Sequence, residues 1–131
     1  MITGKELETL EEIRKFERVT AHICMQKDVG INGNLFGGNM LAFLDEACAI
    51  FAREKSKQWY MVTLRFGEMV FHKPIKEGDI IVFYCGEQIR GKHSLTFSVM
   101  AKVFGELVLS TDCTFVAVDS NGKKEEIEWE K

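Results

Sequence analysis

A glycine-rich turn leads directly into a helix that carries one carboxylate near its middle. The turn contains Gly37-Gly38, and Asp45 follows about two helical turns later. Glycine lets a backbone approach a ligand closely, and the first N–H groups of a helix have no acceptor inside it. A carboxylate on an apolar helix must be paired, hydrogen-bonded or functional, because burying an unpaired charge is costly. These residues indicate a reaction centre that combines backbone N–H groups with one acid.

A purely structural interpretation of the same residues stays open on spacing alone. Asp45 could pair with Arg53 or a lysine on the helix surface, with Glu46 beside it in solvent. Gly37-Gly38 would form a tight turn before the helix in either case.

The hydrophobic pattern predicts the elements that position these residues. From about residue 37 to 55 the helix has apolar residues on nearly every face, which is typical of a buried helix. They are Met40, Leu41, Phe43, Leu44, Ala47, Cys48, Ile50 and Phe51. A capping box of Thr3 and Glu6 predicts a short charged helix over about residues 3–15.

Strand patterns surround the long helix. Before it, Val19, Ala21, Ile23 and Met25 alternate with their neighbours and predict a strand over 16–25. After it, strands are predicted over 59–71, 80–89, 94–104 and 107–118. Turns are predicted at Pro74, Gly78-Asp79, Gly91-Lys92, Gly105-Glu106 and 119–122, and the charged segment 123–131 is predicted to be a frayed tail.

This order of elements predicts an α+β fold in one domain spanning residues 1–131. A strongly curved antiparallel sheet would wrap around one long buried helix, because a single apolar helix needs cover on most sides. One domain leaves part of the helix and sheet uncovered, so we expect a dimer or a larger assembly.

Composition and charge exclude several classes of partner. The 131 residues are 46% hydrophobic and carry a net charge of -3, which gives no electrostatic reason to expect nucleic acid. No run approaches the roughly 20 apolar residues of a membrane span, so no membrane partner is expected. The first residues, Met1 to Glu6, lack the apolar core of a signal peptide. The expected location is the cytoplasm.

Cysteine and histidine spacings do not indicate a metal site. The four cysteines lie at positions 24, 48, 85 and 113, without a paired motif, and are expected to be free and buried. The three histidines, His22, His72 and His93, have no metal-ligand spacing. Cys48 is one turn beyond Asp45, but its apolar face does not favour a reactive thiolate.

The motifs, taken in order, resemble the hotdog-fold acyl-CoA thioesterases, specifically the bacterial acyl-CoA hydrolase family. The strongest match is Asn-Gly-Asn-Leu-Phe-Gly-Gly over residues 32–38, followed by Leu44-Asp45-Glu46-Ala47. Further matches are Val62-Thr63, residues 70–75, Gly78-Asp79, residues 90–94 and residues 114–119. The resemblance extends from about Val19 to Asn121.

The resemblance implies hydrolysis of acyl-CoA to a free fatty acid and CoA, without a cofactor other than the CoA of the substrate. Asp45 would be the general base or nucleophile, and the N–H groups of Gly37 and Gly38 would bind the oxyanion. Thr63 would line the site. The residues implied to contact CoA are Lys73, Arg90, Gly91, Lys92 and Ser94. The family also implies a homodimer, three of which form a hexamer, with the active site between subunits.

The chain departs from the family pattern at two positions. Relatives carry Asp-x-Asn ahead of the glycine turn, whereas this chain has Asp28-Val29-Gly30. Asn32 is the residue that would take the role of the missing asparagine. Asn39 stands where relatives often carry tryptophan, so the shape of the acyl pocket differs.

Two other functions stay open. The first is a non-catalytic acyl-CoA-binding protein, which the missing asparagine favours. The second is a hotdog-fold hydratase or dehydratase, which generally uses a histidine with a helix carboxylate. The sequence has no histidine between His22 and His72, which argues against this second function.

Overall fold

The computed structural model describes residues 3–129, which form two α-helices and six strands. Helix α1 covers Gly4–Arg14 and helix α2 covers Gly37–Ser56. The strands are β1 Glu17–Ile23, β2 Met61–Phe66, β3 Val70–Phe71, β4 Ile80–Arg90, β5 Ser94–Val103 and β6 Glu106–Ala117. They form one antiparallel sheet in the order β1-β4-β5-β6-β2, and β3 pairs with β6.

The predicted architecture of one long helix against an antiparallel sheet is confirmed. Alternate residues of β5 are buried against α2, and Phe97 of this strand packs on Phe51 of the helix, with ring centroids 4.7 Å apart. Phe115 of β6 extends the cluster, 5.9 Å from Phe97. Leu44 and Ala47 are fully buried on the same side of α2. Burial of these apolar side chains is the main stabilising term of the fold.

Helix α2 is buried on one side only, so the predicted all-round burial is wrong for the single chain. Ile50 is 37% exposed and lies on the same side of the helix as the exposed Glu46 and Arg53, and Leu41, near the start of the helix, is 42% exposed. One sheet can cover only one side of a helix. The uncovered apolar side agrees with the expectation of an assembly.

Strand β1 turns its polar-looking residues toward the helix. A register shift between Arg18 and Thr20 inserts one extra residue. Beyond it, His22 packs against the helix and Cys24 is buried, whereas Ile23 is more than half exposed. The bulge therefore decides which of the alternating residues face α2.

The strand predicted over 59–71 is two strands. The N–H of Gly67 donates to the carbonyl of Asp112 at 2.8 Å, and the chain leaves the β2 register here before β3 begins. A Cβ atom on Gly67 would lie 2.6 Å from Asp112 Oδ1. A larger residue here would displace the Asp112 carboxylate.

Residues 123–129 pack on the sheet, so the predicted frayed tail is wrong over this range. Ile127 is 5% exposed within the core, and its N–H donates to the carbonyl of Lys92 at 2.8 Å. The reason is that two apolar side chains, Ile127 and Trp129, stand within the charged run. Residues 130–131 of the predicted tail, and Met1-Ile2 of the predicted domain, lie outside the described residues.

Two further predicted local features are present in the structure. The capping box of Thr3 and Glu6 is present at the start of α1. The β5–β6 hairpin turns through Phe104 and Gly105, both with positive φ, a turn that suits the twist of paired strands. Within residues 3–129, neither α-helix is both long and apolar enough to span a bilayer.

Candidate active site

Asp45 accepts a hydrogen bond from the neighbouring edge strand. Thr63 Oγ1 of β2 donates to Asp45 Oδ1 at 2.8 Å. Thr63 faces the helix because it pairs with Phe115, whose side chain is buried on that side. The described residues provide no ion pair to Asp45, and Arg53 instead lies over the Trp59 ring, 4.3 Å from its centroid. The purely structural pairing with Arg53 is therefore not found.

The start of α2 presents backbone N–H groups that lack an acceptor. Phe36 is the N-cap residue and supplies no side-chain cap, and the first turn contains no acidic residue. The N–H groups of Asn39 and Met40 both donate to the Phe36 carbonyl at 3.0 Å. No acceptor for the N–H of Gly37 or Gly38 is found in the described part of the chain. An uncapped helix start of this kind favours an anion.

The surroundings of Gly37 and Gly38 differ in the space that they leave for a side chain. A Cβ atom on Gly38 would lie 2.8 Å from a carbon of the Phe36 ring, so a side chain at this position would force that ring to move. A Cβ atom on Gly37 would meet nothing within 4 Å. The space in front of Gly37 is therefore open to a ligand.

A cavity of about 450 Å³ lies beside the glycine turn and brings three predicted site residues together. Asn32, Gly37 and Lys73 line it, with Leu35 and Met40 among its apolar walls. Asn32 Oδ1 accepts the N–H of Asn34 at 3.1 Å, which closes a tight turn. Lys73 forms an ion pair with Glu106. The cavity is large enough for part of a small-molecule substrate.

Asp28 holds the glycine turn in place rather than facing the cavity. This carboxylate is 6% exposed, and its Oδ2 accepts the N–H of Met25 at 2.9 Å. The Asp28 carbonyl accepts the N–H of Phe36 and the side-chain amide of Asn39, both at 3.0 Å. Asn39, the second departure from the family pattern, is thus a structural tie between the loop and the helix.

Asp45 and the glycine turn of one chain lie too far apart to act on one carbonyl group. Eight residues separate Asp45 from Gly37, which is about 12 Å along the helix axis at 1.5 Å per residue. A single chain therefore does not bring together the two halves of the predicted reaction centre.

The predicted CoA contacts fall into two groups at opposite ends of the sheet. Arg90 pairs with Leu95, Leu95 with Phe115, and Phe115 with Thr63. This row joins the β4–β5 hairpin to β2, whose Thr63 binds Asp45. The hairpin contains the four predicted residues Arg90, Gly91, Lys92 and Ser94. Lys73 lies instead at the far end of β5, roughly 30 Å away by strand length.

His22 contacts α2 from β1, at the opposite edge of the sheet from β2, and this contact was not predicted from the sequence. Its ring stacks on Phe43, with centroids 4.7 Å apart, and its Nε2 lies 3.3 Å from Glu46 Oε1. His22 and Glu46 are 24 positions apart in the sequence, and they meet because the β1 bulge turns His22 toward α2. The available signal was a histidine within an alternating strand.

The cysteines match the expectation from the sequence. All four are free and buried. The hydrogen bond that the Cys113 thiol donates to Cys48, together with burial, raises the pKa of Cys113 far above its ordinary value, so this thiol stays protonated. Residues 3–129 contain no group of three or more His, Cys, Asp or Glu side chains arranged to hold a metal ion.

The fold and site define a class of protein: an antiparallel sheet around one helix, with a mid-helix acid and a glycine turn, is the hotdog arrangement of thioesterases. The family model of the thioesterase superfamily matches residues 32–109. The chain belongs to the thioesterase superfamily.

Relatives and solved structures support the same assignment. The chain is 30% identical over 124 residues to the acyl-CoA thioester hydrolase YciA of Salmonella typhimurium, covering 88% of this chain and 92% of that protein. It superposes on the Asp44Ala mutant of HI0827, a hexameric broad-specificity acyl-coenzyme A thioesterase, with TM-score 0.82, 31% identity and coverage of 89% of this chain and 90% of that chain. It is also similar to Cj0915, a hexameric hotdog-fold thioesterase of Campylobacter jejuni, with TM-score 0.77, 33% identity and coverage of 86% and 90%.

Proposed function

We propose that this protein hydrolyses acyl-CoA thioesters to free fatty acid and CoA. The observation that carries the proposal is the hydrogen-bonded carboxylate of Asp45 on a helix whose glycine start has unpaired N–H groups. Thioester hydrolysis needs both an activated nucleophile and a site for the developing oxyanion. The names of YciA and HI0827 support the acyl-CoA substrate.

The proposed mechanism uses Asp45 as a general base, or as the nucleophile itself. As a base, it removes a proton from water while the water oxygen bonds to the thioester carbonyl carbon. The carbonyl oxygen gains negative charge and is stabilised by the N–H groups of Gly37 and Gly38. The C–S bond then breaks, and CoA leaves as a thiolate that takes up a proton. Thr63 fixes the Asp45 carboxylate through its hydroxyl group.

We propose that Asp45 of one protomer works with the glycine turn of another. The separation of about 12 Å along α2 prevents one chain from supplying both parts to one carbonyl group. Strand β2 is a sheet edge, where Val62 and Leu64 are 47% and 65% exposed, and such an apolar edge favours pairing with another chain. A homodimer through this edge, three of which form a hexamer, is the proposed assembly. The hexameric relatives support it.

The remaining site residues receive proposed roles from their positions. Lys73 and the hairpin residues Arg90, Gly91, Lys92 and Ser94 would contact CoA, with the cationic side chains on its phosphates. Asn32, at the cavity beside Gly37, would help to place the substrate or the attacking water. The absence of a cofactor and the cytoplasmic location stay predictions.

The test is thiol release from a panel of acyl-CoAs, from short to long chains. We compare the wild-type protein with Asp45→Ala and with the matched control Glu54→Gln, an exposed carboxylate on the same helix. We expect the wild type to release thiol and Asp45→Ala to lose about 10²- to 10⁴-fold in kcat, the usual contribution of a general base. Glu54→Gln should retain the wild-type rate.

Two other results would replace the proposal. If the wild type binds CoA esters tightly but releases no thiol, the protein is a non-catalytic acyl-CoA-binding protein. The contact of His22 with Glu46 is the one observation that favours a hydratase or dehydratase. That function predicts that the protein hydrates enoyl-CoA, which the ultraviolet absorbance of the enoyl thioester measures. His22→Ala should lose this hydratase activity.

A further inference from the structure

The segment 124–129 crosses the β4–β5 hairpin and bonds to its backbone. Trp129 Nε1–H donates to the Gly91 carbonyl at 2.8 Å, and the N–H of Ile127 donates to the Lys92 carbonyl at 2.8 Å. His93 Nδ1 lies 3.0 Å from the carbonyl of Glu125. Three successive hairpin residues are therefore tied to one segment, which the buried Ile127 anchors in the core.

Trp129 also fixes the side chain of Arg90. The guanidinium carbon lies 4.9 Å from the centre of the indole ring, within the range of a cation–π interaction. Arg90 Nε donates to Gln88 Oε1 at 3.1 Å, and Gln88 is buried. Two fixed contacts restrain a long side chain, which reduces the rotamer entropy lost when it binds an anion.

The hairpin itself is closed tightly by its own residues. The N–H of Gly91 donates to the Ser94 carbonyl at 2.8 Å, and a Cβ atom on Gly91 would lie 2.5 Å from Ser94 Oγ. Since Arg90 stands in the same strand row as Thr63, the hairpin faces the end of the sheet that holds Asp45. Arg90 and Thr63 are separated by three strand spacings, or about 14 Å. This distance suits a substrate with a long arm between its thioester and its phosphates.

We propose that Trp129 is a positioning residue that holds Arg90 and the hairpin ready to bind the phosphates of CoA. The inference rests on the proposed function, since it assigns the hairpin to the nucleotide end of an acyl-CoA. Trp129 acts through Arg90 and touches neither the thioester nor the reacting water. Its contribution therefore concerns the binding of substrate rather than the chemical step.

The experiment compares one acyl group on two carriers, CoA and pantetheine, which lacks the nucleotide and its phosphates. Trp129→Ala should raise KM for acyl-CoA about tenfold, as loss of one cation–π contact and one hydrogen bond predicts, while kcat changes less than about twofold. Turnover of acyl-pantetheine should not change. Trp129→Phe keeps an aromatic ring but lacks the indole N–H. Its KM for acyl-CoA should lie between the values of the wild type and Trp129→Ala.

A double-mutant cycle separates action through Arg90 from a general effect on folding. In the Arg90→Met background, Trp129→Ala should raise KM for acyl-CoA by less than in the wild-type background, because the contact with Arg90 is already absent and only the hydrogen bond to Gly91 is lost. The matched control is Tyr84→Leu. Tyr84 of β4 lies beneath Lys102 of β5, with its ring centre 5.4 Å from Lys102 Nζ. Loss of this second cation–π contact on the same pair of strands should leave KM unchanged. Thermal unfolding of each variant is recorded beside the kinetics.

Each failure has its own signature. Equal losses with both carriers, additive effects in the cycle, or an unchanged KM in Trp129→Ala would overturn the positioning role while leaving hydrolysis intact. If the wild type hydrolyses neither thioester, the proposed function fails, and calorimetric titration with CoA then tests Trp129 directly. Weaker CoA binding by Trp129→Ala supports the positioning role in a binding protein, and equal or absent binding overturns it.

Discussion

The Thr63–Asp45 contact joins an edge strand to the middle of α2. A hydroxyl that donates to a carboxylate at 2.8 Å orients that carboxylate and leaves its second oxygen open to another donor. The same contact distinguishes Asp45 from Glu46, whose side chain is 61% exposed beside His22. One hydrogen bond thus separates the two neighbouring acids of the helix into different environments.

We predict that Thr63→Val lowers kcat while Thr63→Ser keeps it near the wild-type value. Valine has a similar shape but cannot donate, so Asp45 loses the group that orients it. A hydrogen bond to a charged group contributes about 1.5 kcal/mol, so kcat should fall about tenfold. Steady-state thiol release measures the effect. Equal rates for the valine and serine variants would contradict the role of the hydroxyl.

We predict opposite stability effects for alanine at the two glycines of the turn. Gly37→Ala should keep or raise the melting temperature, because its Cβ meets nothing and the unfolded chain loses freedom. Gly38→Ala should lower the free energy of unfolding by about 1–3 kcal/mol, since its Cβ meets the Phe36 ring. Thermal unfolding measures both.

Activity gives the two glycine variants a second, independent readout. Gly37→Ala should lose thiol release despite its intact stability, because the open space in front of this residue is where the oxyanion is proposed to lie. A stable and fully active Gly37→Ala protein would exclude this position from the oxyanion site.

At the scale of elements, Lys55 at the end of α2 binds both α1 and β1. Its Nζ lies 3.2 Å from Glu12 Oε1 and 2.5 Å from Glu17 Oε2, and the Lys55 side chain is only 18% exposed. Burial alone would lower the pKa of Lys55, but hydrogen bonds with Glu17 and Glu12 raise it overall. The hydrogen bond and charge of Lys55 lower the pKa of Glu12. Helix α1 has no buried residue of its own, and this cluster joins it to α2.

We predict that α1 detaches on the acid side. Because the folded pKa of Glu12 is lower than its ordinary 4.5, its stabilisation is complete above pH 4.5 and is lost as the pH falls through the folded pKa. The raised pKa of Lys55 gives stabilisation that is complete below 10.5 and is lost as the pH rises through the folded value. Amide exchange of α1, corrected for intrinsic rates, should therefore increase at low pH.

Two lysine variants test the source of this pH dependence. At neutral pH, Lys55→Met should raise the exchange of α1 amides about fivefold, for an ion pair worth about 1 kcal/mol, and remove most of the acid dependence. Lys15→Met is the matched control, since Lys15 contacts the same Glu12 at 3.8 Å but is 56% exposed. Similar exchange in the two variants would show that Lys55 does not anchor α1.

The sequence predicted the elements better than their faces and partners. The α2 helix, the hairpins and the glycine turn follow from local periodicity and turn residues, which are encoded within a few positions. The contact of His22 with Glu46 depends on one bulge in β1, and the packing of Trp129 depends on a hairpin 38 positions earlier. Such long-range contacts leave no periodic signal, so a charged segment containing Ile127 and Trp129 resembled a frayed tail.

At the scale of the whole molecule, the candidate site is divided between the two ends of the chain's own sheet. Asp45, Thr63 and the hairpin lie at one end, and Gly37, Asn32 and Lys73 lie at the other. The uncovered side of α2 and the apolar β2 edge lie where a second chain can complete both halves. The proposed catalytic arrangement needs a second chain, so the contacts within one chain do not reveal it.

Subunit complementation tests this division directly. Asp45→Ala and Gly37→Val should each be inactive, the first without a base and the second with a side chain in the oxyanion site. When the two are unfolded, mixed equally and refolded together, half of the dimers are mixed, and one of the two sites in each mixed dimer contains both wild-type parts. We therefore expect about a quarter of the wild-type thiol release to return, whereas sites built within single chains would recover none. Size-exclusion chromatography shows whether each preparation has the same assembly. Each variant refolded alone is the second control, because activity in either one would mean that its substitution had not inactivated the site.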